Sequence, residues 1–254
     1  MDYSCIIFEV KDQTAIITLN RPKVLNAMNR QMWLEIMDAL EHIKNNKNIK
    51  VAVFTGHGRA FSTGADLKDS KDRTIEDYRK YLESLQEASR KIIYFEKPTL
   101  AAVNGYALGS GYELALACDI RFAASDALIG SPEARVTSSV TGGAFRLIQN
   151  IVGPGKAREL LFTAENITGE EAEKIGLVNY AVPSESLMEE TLKMADKIAA
   201  NSAFSLAMIK KGLLMAQGEA SLNAVMDFEI EACLACVSTK ERQSSLEAFE
   251  KRKE

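Results

Sequence analysis

Histidine is scarce in this 254-residue chain, which has only His42 and His57. A histidine-dependent catalytic triad would need one of them, and neither has a serine or cysteine nucleophile signature around it. His57 sits in a glycine loop, and His42 falls on a helical pattern beside Glu41 and Lys44, where it is expected to be solvated. The cysteines are Cys5, Cys118, Cys233 and Cys236. Cys233-Leu-Ala-Cys236 has the spacing of a redox or metal pair, but it lies in an apolar, helix-like stretch with no second pair and no nearby histidine. It therefore reads as buried helical thiols rather than a metal site. Positive charge is not in excess: Lys and Arg number 31 against 35 Asp and Glu, a formal charge of −4. That balance gives no global attraction for nucleic acid or anionic lipid. An anionic ligand must be held by local basic groups and backbone N–H donors. No apolar run approaches bilayer length, and no Pro/Gly/Ser-rich linker divides the chain.

What is present is ordinary globular composition, 46% hydrophobic and 26% charged, in a chain long enough to bury a full core. The start, Met1-Asp2-Tyr3-Ser4, carries an acid and leads straight into a strand-like segment, which reads as neither a signal nor a transit peptide. A cytoplasmic protein without a membrane partner is expected. Ile6 to Val10 and Ala15 to Leu19 read as two strands joined by the turn Lys11-Asp12-Gln13. Apolar spacing through Met28, Met32, Ile36 and Leu40 predicts an amphipathic helix. Val51 to Phe54 predicts a strand opening into the loop Thr55 to Gly64. A charged helix from about Thr74 to Tyr94 is closed by Lys97-Pro98. The strand Thr99 to Val103 opens into a second glycine loop, Asn104 to Gly111, followed by a helix at 112–118 and a strand from Ile120 to Ala123. From Pro154 onward the pattern is almost wholly helical, and Thr168-Gly-Glu-Glu171 reads as a capping box. The repeated strand, glycine loop and helix predict an α/β architecture of successive β-β-α turns with a helical C-terminal extension.

Two glycine loops that each follow a buried strand allow backbone to approach a ligand closely. Neither matches a dinucleotide fingerprint or a phosphate loop in full spacing. Glu113, in Gly109-Ser-Gly-Tyr-Glu-Leu-Ala-Leu-Ala117, stands at the first turn of a helix whose other residues are small or apolar. Local physics leaves two readings open, a catalytic carboxylate or a glutamate favoured by the helix dipole. Glu133, in Ser131-Pro-Glu-Ala-Arg135, is equally compatible with a well-made helix start in which Ser131 caps and Pro132 takes the first position.

Together these segments resemble the crotonase (enoyl-CoA hydratase/isomerase) superfamily over nearly the entire chain. The resemblance is carried by Leu19-Asn-Arg-Pro-Lys-Val-Leu-Asn-Ala27, Gly58-Arg-Ala-Phe-Ser-Thr-Gly-Ala-Asp-Leu-Lys68, Lys97 to Gly111, Glu113-Leu-Ala-Leu-Ala-Cys-Asp119, Pro132-Glu133 and Ala248-Phe-Glu-Lys-Arg252. It implies one crotonase-like domain over 1–254, with a spiral core to about 190 and a helical part from about 191 serving oligomerisation. The implied assembly is a homotrimer or a dimer of trimers. The resemblance further implies a thioester carbonyl held by the backbone N–H groups of Ala65 and Ser110, an oxyanion hole. It implies Glu113 and Glu133 as the acid–base pair, and an acyl-CoA contact made by Lys23, Val24, Ala65, Asp66, Leu67, Lys68 and Gly109. The implied reaction is hydration of a trans-2-enoyl-CoA without metal, coenzyme A being part of the substrate rather than a cofactor. Family isomerases commonly keep only the second glutamate, so two favour hydration; an isomerase or another family reaction on an unusual acyl-CoA, or a non-catalytic RNA- or acyl-CoA-binding protein that merely retains the fold, stays as an alternative. Two departures stand out. Ser110 replaces a usual glycine, and Thr137 and Val140 replace the glycine and proline common in the loop after Glu133. The hydroxyls of Thr137, Ser138, Ser139 and Thr141 thus stand near the expected acyl site. The acyl pocket itself is expected in the variable stretch from Asp69 to Leu85.

Overall fold

The computed structural model of the chain describes residues 2–70 and 74–217, with the single positions Ile230, Leu234, Glu247 and Lys251. The Cys233–Cys236 pair and the Ala248–Arg252 segment, apart from Lys251, lie outside these residues. The strands are β1 (Ile6–Lys11), β2 (Thr14–Leu19), β3 (Val51–Gly56), β4 (Ala60–Ser62), β5 (Thr99–Val103), β6 (Tyr106–Leu108), β7 (Ile120–Ala124), β8 (Leu128–Gly130), β9 (Ile167–Thr168) and β10 (Tyr180–Val182). The helices are α1 (Arg30–Asn45), α2 (Ile75–Ile93), α3 (Ser110–Ala117), α4 (Ala144–Thr163), α5 (Gly169–Lys174), α6 (Leu187–Ala199) and α7 (Ala203–Ala216).

The strands form two sheets, in the orders β1-β2-β3-β5-β7-β10 and β4-β6-β8-β9. Successive turns of chain place β3, β5 and β7 side by side in the first sheet and β4, β6 and β8 side by side in the second. All of those neighbours are parallel. The result is the expected spiral of β-β-α turns. β3 and β5 are buried along their whole length, as strands covered on both faces must be, and their sequences Val-Ala-Val-Phe-Thr-Gly and Thr-Leu-Ala-Ala-Val are accordingly continuous apolar runs. Each ends where the chain turns into a glycine loop, so both loops emerge from the same end of one rigid sheet.

The helices follow from periodicity and caps. α1 is N-capped by Asn29, whose side chain accepts from Met32 N–H, and it buries Met32, Trp33, Ile36, Ala39, Leu40 and Ile43. α2 is capped in the same way by Thr74. α5 has the predicted capping box between Thr168 and Glu171. Glu35, buried on α1, accepts hydrogen bonds from the N–H groups of Ser4, Cys5 and Ile6, the Ser4 hydroxyl and the Gln31 amide. Burial pushes its carboxyl up, and the donors more than reverse this, leaving it below the usual carboxylate range. At the other end of the core, Lys210 on α7 is 7% exposed and donates to Asp119, at 2.7 Å, and to the Lys97 carbonyl. Asp119 also accepts from the N–H and hydroxyl of Thr99, so one carboxylate joins α7 to the starts of β5 and β7.

Several expectations need correction. The loops Thr55–Gly64 and Asn104–Gly111 contain β4 and β6, three-residue strands too short to leave an alternating pattern. The helical reading from Pro154 misses both ends of the truth. α4 begins at Ala144 and is broken at Gly153 (φ 77°, ψ 161°) before Pro154, and the later segment contains β9 and β10. His42 is not simply solvated, since its ring packs edge-on against Phe8 at 5.4 Å. Among the described residues no helix is long and apolar enough to cross a membrane.

Glu35→Ala leaves three strand-end amides without acceptors. We expect urea unfolding at neutral pH to show a loss of about 2–4 kcal/mol.

Candidate active site

The segment after β4 is set by residues far from it in sequence. Asn26 is fully buried with φ 55°; its side chain accepts from Arg21 N–H and donates to the carbonyls of His57 and Ala60. Arg21 Nη1 in turn donates to the Ala27 carbonyl and to Asp66 Oδ2 at 2.8 Å. Met28 forms a parallel bridge with Ala65, with Met28 N–H donating to Gly64 O and Asp66 N–H donating to Met28 O. In a parallel bridge the middle residue of the bonded triplet turns its own N–H and carbonyl to the opposite side. The Ala65 N–H therefore points away from Met28.

On that opposite side lies the Leu108–Ser110 corner. Gly64, at φ 98°, packs so closely there that a Cβ on it would meet Leu108 O at 3.0 Å and Ser110 N at 3.4 Å. Gly109 (φ 52°, ψ −123°) is the N-cap of α3, and Ser110 is that helix's first residue. The Ser110 N–H is thus one of the orphan amides of a helix start, where the dipole adds partial positive charge. Neither it nor the Ala65 N–H meets an acceptor among the described residues. Two N–H donors on adjoining segments are left open in the same corner.

Both glutamates come to this corner. α3 is buried along all eight residues, and Glu113 in its first turn is 3% exposed. Its carboxylate accepts from Thr141 N–H at 2.5 Å, from Thr141 Oγ1 at 2.9 Å, and from the Ser110 hydroxyl. Glu133 opens the short 3-10 turn Glu133–Val136, and Ser131 Oγ donates to its Oε2 at 2.5 Å. Its Oε1 reaches over Gly109, where an added Cβ would lie 2.9 Å away. Ser131 does not cap the turn as its sequence position implied. Pro132 occupies the cap position, and the serine hydroxyl serves the carboxylate instead.

Burial pushes the Glu113 carboxyl up, against the pull of its hydrogen bonds to Thr141 and Ser110. Burial and then the charge of Glu113 push Glu133 up to about 7, with Ser131 opposing. The mutual influence makes this one coupled acid–base unit. At the far end of α3, the buried Arg121 guanidinium donates to the carbonyls of Cys118, Ala115 and Leu177, so a cation satisfies the helix C-terminus.

Glu133 also borders a cavity of about 330 Å³, walled by Ser138, Ser139, Val140, Phe145 and Leu161. Its wall is the loop after Glu133 and both halves of the broken α4. No described residue of the stretch from Asp69 to Leu85 lines it, whereas Leu82 and Leu85 are buried in the core. Lys23 and Val24 lie on an exposed 3-10 turn, and the Arg21–Asp66 ion pair ties that turn to the segment carrying Leu67 and the exposed Lys68. The Asp66 carboxylate is committed to Arg21 and to the Lys68 N–H, so it shapes the loop. His57 pairs with Asn20, away from both glutamates. Among the described residues no cluster of His, Cys, Asp or Glu is arranged to hold a metal ion. The residues that sequence reasoning did not single out here are Thr141 as a partner of Glu113, and Asn26 and Arg21 as anchors of the Ala65 segment.

A spiral of β-β-α turns of this kind is the crotonase fold, and the profile of the enoyl-CoA hydratase/isomerase family matches residues 9–254, so the chain belongs to that family. It is 35% identical to the short-chain-enoyl-CoA hydratase of Clostridium acetobutylicum over 100% of this chain and 97% of that protein. It is 36% identical to the crotonyl-CoA hydratase of Syntrophomonas wolfei, covering 100% and 98%. Among solved structures, an enoyl-CoA hydratase/isomerase from Xanthobacter autotrophicus Py2 superposes with a TM-score of 0.89 at 30% identity, covering 96% of this chain and 91% of that one.

A carboxyl raised in the folded state from 4.5 to about 7 binds its proton more tightly there than in the unfolded chain. Its stabilising contribution is complete below about 4.5 and is lost as pH rises through about 7. Glu133→Gln removes this dependence. We expect the variant to exceed the unsubstituted protein in urea-derived stability by about 1–3 kcal/mol at pH 8, with the difference closing toward pH 4.5.

Proposed function

We propose that this chain is an enoyl-CoA hydratase, converting a trans-2-enoyl-CoA to its 3-hydroxyacyl-CoA. The observation that carries this reading is the pairing of two electrostatically coupled glutamates with the open amides of Ala65 and Ser110. The thioester carbonyl oxygen is held by those amides, which strengthen as negative charge develops on it; one such donor is typically worth about 2.7–4 kcal/mol at the transition state. Glu113, as carboxylate, takes a proton from a water molecule, and the hydroxide oxygen bonds to C3. The C2–C3 π electrons move toward the thioester, giving an enolate with its charge on the carbonyl oxygen. Glu133, as the acid, delivers its proton to C2, and the carbonyl re-forms. A second proton exchange between the pair and solvent resets the site.

The reaction is redox-neutral and its charge is handled by amides and carboxyls, so it needs neither metal nor cofactor. Coenzyme A enters as the carrier part of the substrate. Lys23 and Lys68, on exposed segments tied together by Arg21 and Asp66, are suited to its phosphates, with Val24, Leu67 and Gly109 beside the path to the thioester. The names of the relatives support the same class, since two of them are hydratases of short enoyl-CoA thioesters.

Loss of the enoyl thioester's ultraviolet absorbance with crotonyl-CoA and longer enoyl-CoAs tests the assignment. Glu113→Gln and Glu133→Gln are each expected to lower hydration by about 10²-fold or more. An intact rate in Glu113→Gln with none in Glu133→Gln identifies an isomerase instead. We further propose one domain over residues 1–254, assembled as a homotrimer or dimer of trimers. Support comes from the exposed Phe204, Met208, Ile209 and Leu213 on α7, an apolar set a solitary chain would leave wet. Sedimentation is expected to give three or six copies, and a monomer overturns this.

A further inference from the structure

Ser110, a departure from the family pattern, and Thr141, one of the hydroxyls of the loop in which Thr137 and Val140 also depart from it, meet on one carboxylate. Glu113 accepts from the Ser110 hydroxyl, from the Thr141 hydroxyl at 2.9 Å and from the Thr141 N–H. Its partner Glu133 accepts from only two donors, the Ser131 hydroxyl and its own backbone N–H. Thr141 is 4% exposed and Ser110 7%, so neither hydroxyl is free to trade this acceptor for bulk water. Hydrogen bonds to a charged acceptor are stronger than those to a neutral one, so donors favour the anionic form of the carboxyl that receives them. The donor count therefore breaks the symmetry of the pair.

Resting on the hydratase reading, we infer that Thr141 and Ser110 are positioning residues whose hydroxyls hold Glu113 as the anion, so that the proton shared by the pair resides on Glu133. This decides which glutamate is the base before substrate arrives. It also fixes the carboxylate plane, because Thr141 binds one oxygen by its N–H and the other by its hydroxyl. The other groups facing the pair do not compete. Tyr112, on the same helix, is buried, and burial followed by the charges of Glu133 and Glu113 holds its phenol protonated. From α2 the neighbour is Ser89, whose hydroxyl donates to the Leu85 carbonyl. Arg121 from β7 is turned to the opposite end of α3. From the loop after Glu133, Ser138 and Ser139 line the cavity that Glu133 borders, and Thr141 supplies its N–H and hydroxyl to Glu113.

The test is the pH profile of kcat/KM for crotonyl-CoA hydration in Thr141→Val, which keeps the backbone donor and the side-chain shape and removes only the hydroxyl. Losing a donor raises the pH at which the base becomes anionic, so the acidic limb is expected to move up by about one pH unit. KM on the plateau should stay within about twofold, because the Ala65 and Ser110 amides are untouched. Thr141→Ser is expected to restore the limb, and Ser110→Ala, which keeps its N–H, to move it in the same direction as Thr141→Val. If Thr141→Val does not fold, Ser110→Ala carries the test alone. An acidic limb that stays in place in a folded variant overturns the inference, even if the plateau rate or the melting temperature falls, since those changes belong to packing. Hydration by the unsubstituted protein is scored first: its absence overturns the functional reading together with the inference that rests on it, whereas hydration with an unmoved acidic limb overturns the inference alone.

Discussion

Two carboxyl groups enclosed in one poorly solvated corner cannot both be anionic at low cost, and the site around Glu113 and Glu133 is organised by that constraint. In water their repulsion would be screened; with α3 buried along its whole length it is not. Burial raises both carboxyls, and the charge of Glu113 raises Glu133 further, so a proton stays on the pair toward neutral pH. Burial creates the acid. The unequal set of hydroxyl and amide donors decides where the acid sits.

That corner exists because the spiral brings β4 and β6 side by side over the larger sheet, with one glycine loop from each turn. The open amides of Ala65 and Ser110 belong to chain segments 45 residues apart, and they share a corner through backbone contact at Gly64 and Gly109. What holds the first segment is another distant piece of chain, the Arg21–Met28 stretch, through the Asn26 side chain, the Arg21–Asp66 ion pair and the Met28 bridge. Little of this contributes a large energy by itself, since a part-exposed ion pair is worth about 0–1 kcal/mol. Its effect is geometric: the N–H groups of Ala65 and Ser110 are held in one corner, without an acceptor among the described residues.

Legibility from the sequence tracked the length and repetition of each signal. β1, β2 and β5 were readable because alternation or a continuous apolar run spans the strand, and α1 and α2 because several turns repeat the same face. β4, β6 and β8 were not, since three residues hold less than two periods of any pattern. α4 was misplaced because a proline reads as a start, whereas here the chain is helical on both sides of a break at Gly153. At the site, Glu113 and Glu133 each looked like a residue favouring a helix start, and only the chain-long resemblance singled them out. Thr141 was one of four loop hydroxyls with nothing local to distinguish it.

The sequence by itself determined which residue types were present for chemistry, two glutamates in glycine-bearing segments and no histidine with a nucleophile beside it. It also determined the family, because order and identity of motifs survive without coordinates. The tertiary structure alone decided the rest: that Ala65 N–H faces outward from its bridge, that Ser131 serves a carboxylate instead of a helix end, and that Thr141 closes on Glu113. These are relations between atoms brought together by the crossing of two sheets. Local sequence does not encode a hydrogen bond between residues 28 positions apart; the packing of α3 beneath the Thr141 loop does.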